Sequence, residues 1–308
     1  MASDHLARRM KLGVMPSMGE DEQRGRAFSY AEIRDMAQTA EGVGLDSFWL
    51  ADHLLYRFPG KPEAGAWEVF TFLGAVAQAT ERISIGPLVA CTSFRNPALL
   101  AKMAESLDEI SAGRFILGLG AGWHEPEYTA FGYPFDHRAA RFEEALKIIV
   151  PLLRDGHVDF RGQYYEASDI ALRPRGPQRN GPPIWIGASK PRMLRFVAHY
   201  ADAWNTVWHK WPQSVAEKYP QMLEACRAVG RDPATLELTA GTWARILAPG
   251  EQREPDEDRI VGSPEEVAQA LKGFADLGVK HLVVLVEPES AEGIVRLGEV
   301  AKLLDQMG

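Results

Sequence analysis

The sequence predicts an α/β fold, an eight-stranded (β/α)8 barrel, on three observations. Short apolar runs alternate with helical patterns along the whole chain, the mark of a parallel sheet with crossover helices. Eight such runs can be placed with helices between them, which favours a closed barrel over an open doubly wound sheet. With 308 residues and 46% hydrophobic content, the chain suffices for the core of one barrel domain, expected over residues 1–308.

The first strand is expected at residues 12–15, followed by a helix over 30–43 that stops at Gly42 and Gly44, residues that tolerate a left-handed turn. The second strand falls at 47–50. A helix around 67–79 leads to the third strand at 83–89, and a helix over 98–110 ends before Gly113 and leads to the fourth at 115–119. Phe142, Ala145, Leu146, Ile149, Leu152 and Leu153 then recur at three- and four-residue steps, one apolar stripe of a helix that packs on a sheet. Residues 155–182, rich in Gly, Pro and Arg, are too long for an ordinary connection and read as a functional insertion before the fifth strand. The remaining strands are expected at 184–186, 202–205, 236–243 and 281–286, with helices starting near Pro191 and covering 215–229 and 264–277. Ser263, Pro264 and Glu266 supply a cap, a first-position proline and a capping-box acid. A closing helix runs from residue 291 to about 306.

A net charge of −8 argues against nucleic acid or an anionic membrane as partner, because a field of that sign repels polyanions, and leaves a small molecule. No apolar run approaches the roughly 18 residues that span a bilayer, and the opening nine residues lack the apolar stretch of a secretion signal. A cytoplasmic protein is expected. Cys91 and Cys226 stand in no paired motif, and no His-Glu-x-x-His helix, Walker loop or nucleophile elbow occurs in its required context, so no metal site is expected.

In such barrels the active site lies at the carboxyl ends of the strands. That rule selects Ala51, Asp52 and His53 after the second strand, Val89, Ala90 and Cys91 at the third, Gly120, Trp123, His124 and Glu125 after the fourth, and Gly187, Ala188 and Ser189 after the fifth. Gly118, Gly120 and Gly122 resemble a dinucleotide fingerprint, but Trp123 stands where it needs a glycine. They either let backbone approach a flat ring or serve as tight strand packing. The turn from Gly187 to Arg192 precedes a helix, so free N–H groups and the helix dipole converge either on an anion or on an ordinary serine cap. Arg173, Arg175 and Arg179 either extend that positive zone or solvate a loop. His53 titrates near neutrality and suits proton transfer, with Asp52 placed to orient a neighbour. His124, Glu125 and Glu127 either bind substrate or face water.

Four segments together resemble the bacterial-luciferase-like flavin oxidoreductases: residues 44–53, ending Trp-Leu-Ala-Asp-His53; 96–114, from Asn96-Pro to Gly-Arg114; 115–123, Phe-Ile-Leu-Gly-Leu-Gly-Ala-Gly-Trp; and 183–189, Pro-Ile-Trp-Ile-Gly-Ala-Ser. The resemblance implies a barrel that binds FMN or the deazaflavin coenzyme F420 at its mouth, commonly as a homodimer. It also implies a bulge after the third strand against the ring, with a non-proline cis peptide within residues 88–91. On this chain it places Asp52 and His53 at the ring, Gly187, Ala188 and Ser189 at the phosphate, and Gly120 to Trp123 as the ring-side wall. The Ala-Asp-His53 and Gly-Ala-Gly-Trp123 segments resemble the F420-using branch, in which hydride passes between coenzyme and organic substrate and His53 is the proton donor or ring orienter. Two positions depart from the F420-dependent sugar-phosphate dehydrogenases, which carry an acid where this chain has Trp123 and a tryptophan where it has Arg57. Glu125, two residues on, is the candidate replacement acid. The alternative within redox chemistry is an FMN-dependent two-component monooxygenase fed by a separate flavin reductase. A barrel lyase or hydrolase acting on a phosphorylated metabolite would use the same phosphate turn.

Overall fold

The computed structural model describes residues 10–254 and 258–307; residues 1–9, read above for a secretion signal, lie outside the described residues. In chain order the elements are β1 (Lys11–Val14), α1 (Tyr30–Gly42), β2 (Ser47–Leu50), β3 (Leu55–Tyr56), β4 (Ala64–Gly65), α2 (Val69–Ala79), β5 (Ser84–Pro87), β6 (Ala90–Cys91), α3 (Pro97–Ile110), β7 (Leu117–Gly120), α4 (Glu125–Phe131) and α5 (Arg138–Asp155). They continue as β8 (His157–Arg161), β9 (Glu166–Ala171), β10 (Ile184–Gly187), α6 (Pro191–Tyr200), β11 (Ala203–Thr206), α7 (Pro212–Val229), β12 (Glu237–Ile246), β13 (Ile260–Gly262), α8 (Pro264–Asp276), β14 (His281–Glu287) and α9 (Ala291–Met307).

The eight runs expected from the sequence all enter one parallel sheet, ordered β5-β2-β1-β14-β12-β11-β10-β7-β6, with β13 added beside β12. A parallel bridge between Ile85 and Phe115, with Ile116 N donating to Ile85 O at 2.9 Å, brings β5 back beside the β7 end and curls the sheet into a nearly closed barrel. Local chemistry sets the helix ends, and for α8 it does so as the sequence indicated. Ser263 and Glu266 form the capping box of α8, Ser29 and Glu32 form another on α1, and Asn96 caps α3 ahead of Pro97. The third strand differs from the expectation: it breaks between Pro87 and Ala90 into β5 and β6. Among the described residues no helix is long and apolar enough to cross a membrane.

The insertion also differs from its expected role. Its first half is the antiparallel hairpin β8–β9, and its second half returns beneath the barrel. There Gln178 donates to Phe115 O at the amino end of β7, and Arg175 donates to Glu105 Oε1 at 2.8 Å and to Leu153 O. The segment carrying Arg173, Arg175 and Arg179 therefore lies at the end of the barrel opposite the strand carboxyl termini. Of the two roles left open for these arginines, the surface one fits: Arg173 and Arg179 are exposed, and Arg175 ties the return loop to α3 and α5.

Inside the barrel, Trp49 and Trp185 pack with centroids 4.5 Å apart. A Cβ on Gly86 would stand 2.8 Å from the Trp49 ring and 2.3 Å from Ile116 O, so the indole occupies room that only glycine leaves. Burying the Trp49 N–H requires an acceptor, which is Ser47 Oγ at 2.6 Å; Ser47 Oγ in turn lies 2.6 Å from His281 Nε2. Having accepted from the indole, the hydroxyl donates to the imidazole, which fits a neutral ring. Burial pushes the His281 pKa down to about 3.

The unfolded chain therefore takes up a proton at His281 that the folded protein refuses. This contribution to stability is complete above pH 6.5 and is lost progressively as pH falls from 6.5 toward 3, by at most about 1.4 kcal/mol per pH unit. His281→Gln keeps an acceptor for Ser47 but cannot titrate. Urea midpoints measured from pH 7 to pH 4 should fall less steeply for this variant than for the wild type; parallel slopes would show that His281 is not the group responsible.

Candidate active site

Asp52 follows β2 and is buried, yet it does not face the barrel opening. Its carboxylate accepts Arg95 Nη1 at 2.6 Å, Arg95 Nη2 at 3.0 Å and Cys91 N at 2.8 Å. Arg95 donates again to Glu68 Oε1 at 2.7 Å and lies over the Phe70 ring. Burial is the largest influence on Asp52 and raises its pKa, opposed by the adjacent guanidinium; Arg95, between two carboxylates, is raised in turn. The end of β2 is thereby tied to β6. Between β5 and β6 the Leu88–Val89 peptide is cis, inside the window expected from the sequence. The bulge aims Val89 at the neighbouring strand, where a Cβ on Gly120 would come within 2.6 Å of Val89 Cγ2.

His53, the next residue, has a buried acid behind it. Its Nδ1 lies 3.0 Å from Glu127 Oε1, while Glu127 Oε2 accepts Leu54 N at 2.9 Å. The Glu127 side chain is only 1% exposed and that of His53 is 16% exposed. A carboxylate only accepts, so Nδ1 donates to Glu127 and Nε2 is the ring nitrogen left free of it. Glu125, the acid favoured from the sequence, is exposed at the start of α4. His124 is buried, accepts Arg57 N at Nε2 (3.0 Å), and burial lowers its pKa, so it is a neutral support for the 54–58 loop.

The wall after β7 is held by Tyr128, whose hydroxyl donates to Ala121 O at 2.8 Å and lies 3.0 Å from Cys91 Sγ. Burial pushes the Cys91 thiol up to about 12, so it is neither a nucleophile nor a metal ligand at neutral pH. Gly122 has φ +73°, and a Cβ there would meet Tyr128 Oη at 1.9 Å. Arg138 Nη1 fixes the carbonyl of Gly122 at 2.8 Å. Trp123 emerges from this pinned segment 57% exposed, with its ring 5.6 Å from that of His53.

Two strands away on the sheet path from β6, at the end of β10, Trp204 Nε1 donates to Ala188 O at 2.9 Å. Gly187 and Ala188 are half-buried and Ser189 is exposed. Helix α6 then starts with Pro191 at its first position and no side chain capping it. Lys190 is exposed here, whereas Arg192 leans away to Glu143 at 3.2 Å.

The structure thus gathers His53, Val89, Gly120, Trp123, Gly187, Ala188 and Ser189 around the carboxyl ends of the strands, and sets Asp52 and Cys91 behind them. Sequence reasoning named Glu127 among the acids near the opening but favoured Glu125. Helical spacing carried the signal, since His124, Glu127 and Tyr128 stand three and four apart and share the inner face of one short helix. Arg95 gave no comparable sign, because its partners are 27 and 43 residues away.

The family described as luciferase-like monooxygenase matches residues 10–254. The chain is 29% identical over 303 residues, 83% of its length and 88% of the relative's, to an F420-dependent glucose-6-phosphate dehydrogenase of Amycolatopsis mediterranei. It is 31% identical over 246 residues, 74% of this chain and 63% of the relative, to a phthiodiolone/phenolphthiodiolone dimycocerosates ketoreductase of Mycobacterium tuberculosis. Among solved structures, an F420-dependent secondary alcohol dehydrogenase in complex with an F420-acetone adduct superposes with a TM-score of 0.80 at 21% identity, covering 96% of this chain and 99% of that one.

Glu127→Gln should release the tautomer of His53. In the wild type, nitrogen-detected NMR is expected to find the neutral ring protonated at Nδ1. In the variant the amide can donate as well as accept, and the Nε2-protonated form should become substantially populated; an unchanged spectrum would remove Glu127 as the orienting group.

Proposed function

From membership of the luciferase-like monooxygenase family, to which this chain belongs, we propose that it is an oxidoreductase that uses coenzyme F420 to exchange a hydride with an organic substrate. Relatives named as an F420-dependent dehydrogenase and as a ketoreductase support this reading. The observation that carries it is the His53–Glu127 pair, a solvent-reached imidazole backed by a buried acid.

The residues fit such a coenzyme. A flat ring needs small residues and backbone on one side, which the Val89–Ala90–Cys91 bulge and Gly120 provide, and Trp123 borders it. A phosphate needs N–H groups and positive charge, and the first turn of α6, uncapped by any side chain, offers both beside Gly187, Ala188, Ser189 and Lys190. When bound, F420 supplies a two-electron hydride carrier. It lacks the ring nitrogen, next to the oxygen-reactive carbon, on which the reactivity of reduced FMN toward oxygen depends.

His53 holds or delivers the proton that accompanies hydride exchange, acting through Nε2, and Glu127 fixes the ring that does so. The acid's part passes from Glu125 to Glu127 because only Glu127 reaches the imidazole. Asp52 works through the bulge: by holding Arg95 and Cys91 N it sets where Val89 meets the ring. Cys91 contributes its backbone, its thiol being turned to Tyr128. A homodimer in the cytoplasm completes the reading, in keeping with two buried free thiols.

Titrating the protein separately with F420 and with FMN should give a dissociation constant at least tenfold lower for F420. Tighter FMN binding, with oxygen uptake when reduced FMN is supplied by a flavin reductase, would overturn the coenzyme assignment. Ser189→Asp should weaken F420 at least tenfold by placing a negative charge against the phosphate. His53→Ala should lower turnover at least tenfold while F420 affinity stays within a few-fold.

A further inference from the structure

The chemistry around the opening specifies what kind of molecule meets the coenzyme. The loop after β2 carries Phe58, 40% exposed, stacked on Trp123 with centroids 6.4 Å apart and planes 23° from parallel. Phe58 also lies 5.0 Å from His124, which pins its loop. At the ends of β11 and β12, Trp208 and Trp243 stack at 5.2 Å and 21°. On the sheet path β11 lies four strands from β2, so in an eight-strand ring this second pair stands across the opening from the first. Trp208 packs on the same inner cluster of Met15, Trp49, Leu88 and Trp185 that Ala51 and Val89 pack on, which makes that cluster the floor between the two pairs.

Charge is arranged in the complementary way. Arg57 is matched by Glu63, Arg245 by Glu251 at 2.7 Å, Arg259 by Glu287 and Arg24 by Glu289 at 3.3 Å. A phosphorylated substrate needs guanidinium or ammonium groups that are not already neutralised by carboxylates. Outside these pairs, Arg138 is taken up by the Gly122 carbonyl at 2.8 Å and lies over the Phe135 ring, Lys61 is exposed on the outer tip between β3 and β4, and Lys190 is exposed at the turn assigned to the coenzyme's own phosphate. Opposed aromatic faces, left partly in water, gain most from a flat apolar ring placed between them.

We propose that the space between Phe58–Trp123 and Trp208–Trp243 takes a flat, uncharged aromatic molecule as the substrate class, and does not take a sugar phosphate. The proposal rests on the F420 reading in treating this ligand as the substrate.

Calorimetric titration with 2-naphthol, 2-naphthyl phosphate and glucose 6-phosphate tests it, using the protein alone and saturated with F420. The first two probes share a ring system and differ in charge. 2-Naphthol is expected to bind at least tenfold more tightly than either phosphate. Phe58→Ser, at an exposed position, and Trp243→Ala should each weaken it about fivefold, the effect of losing one aromatic partner. Equal or tighter binding of either phosphate would overturn the proposal, as would unchanged naphthol affinity in both variants. A separate F420 titration distinguishes the two failures. If F420 binds and naphthol does not, the substrate class alone is wrong; if naphthol binds through these aromatics and F420 does not, the coenzyme reading falls and the aromatic site stands.

Discussion

The contact on which the opening of this barrel depends is the buried pair of Asp52 and Arg95. Removing a carboxylate and a guanidinium from water costs several kcal/mol each, and only close, multiply bonded geometry offsets that. Here the geometry is a two-point pairing, with the Cys91 amide as a third donor to the carboxylate and Glu68 as a second acceptor for the guanidinium. Satisfying the charge thus obliges the end of β2, the end of β6 and the start of α2 to meet at one point. The bulge that carries Val89, and His53 one residue beyond Asp52, take their positions from that meeting.

A second layer of restraint comes from one short helix. From α4, His124 accepts the Arg57 amide, Glu127 accepts from Leu54 and faces His53, and Tyr128 holds Ala121 and Cys91. Three side chains of one element therefore fix the loops after β2, β6 and β7 relative to one another. The close fit of Tyr128 under Gly122 follows from this arrangement, since any side chain at position 122 would drive the helix away from the barrel and carry Glu127 off the imidazole with it.

Much of this architecture could be read along the chain, for identifiable reasons. The barrel strands announced themselves because buried parallel strands are short apolar runs, and α8 because its cap is made by residues three apart, Ser263 and Glu266. Short-range signals of that kind do not exist for the insertion. Its arginines left two readings open, a coenzyme-facing positive zone or a solvated loop, and only the return loop's bonds to Phe115 and Glu105 under the barrel separate them, since direction in space is not encoded in spacing. The break of the third strand coincided with the window marked by family resemblance, yet the contact that ties its far side, Cys91 N donating to Asp52 across 39 residues, had no local sign. Likewise Glu125 and Glu127 look equivalent in sequence; only helical phase separates an acid facing water from one facing a histidine.

The charge pairing around the rim and the burial of Glu127 serve the same end. At an effective dielectric near 20, an unpaired guanidinium about 8 Å from an imidazolium would oppose it by about 2 kcal/mol, enough to override much of what a neighbouring carboxylate provides. Matching Arg24, Arg57, Arg245 and Arg259 with acids reduces each to a dipole whose field falls off faster with distance. Glu127, 3.0 Å from Nδ1 and 1% exposed, holds the His53 ring in place by contact, and the paired cations leave the walls around it suited to the neutral aromatic ligand proposed above.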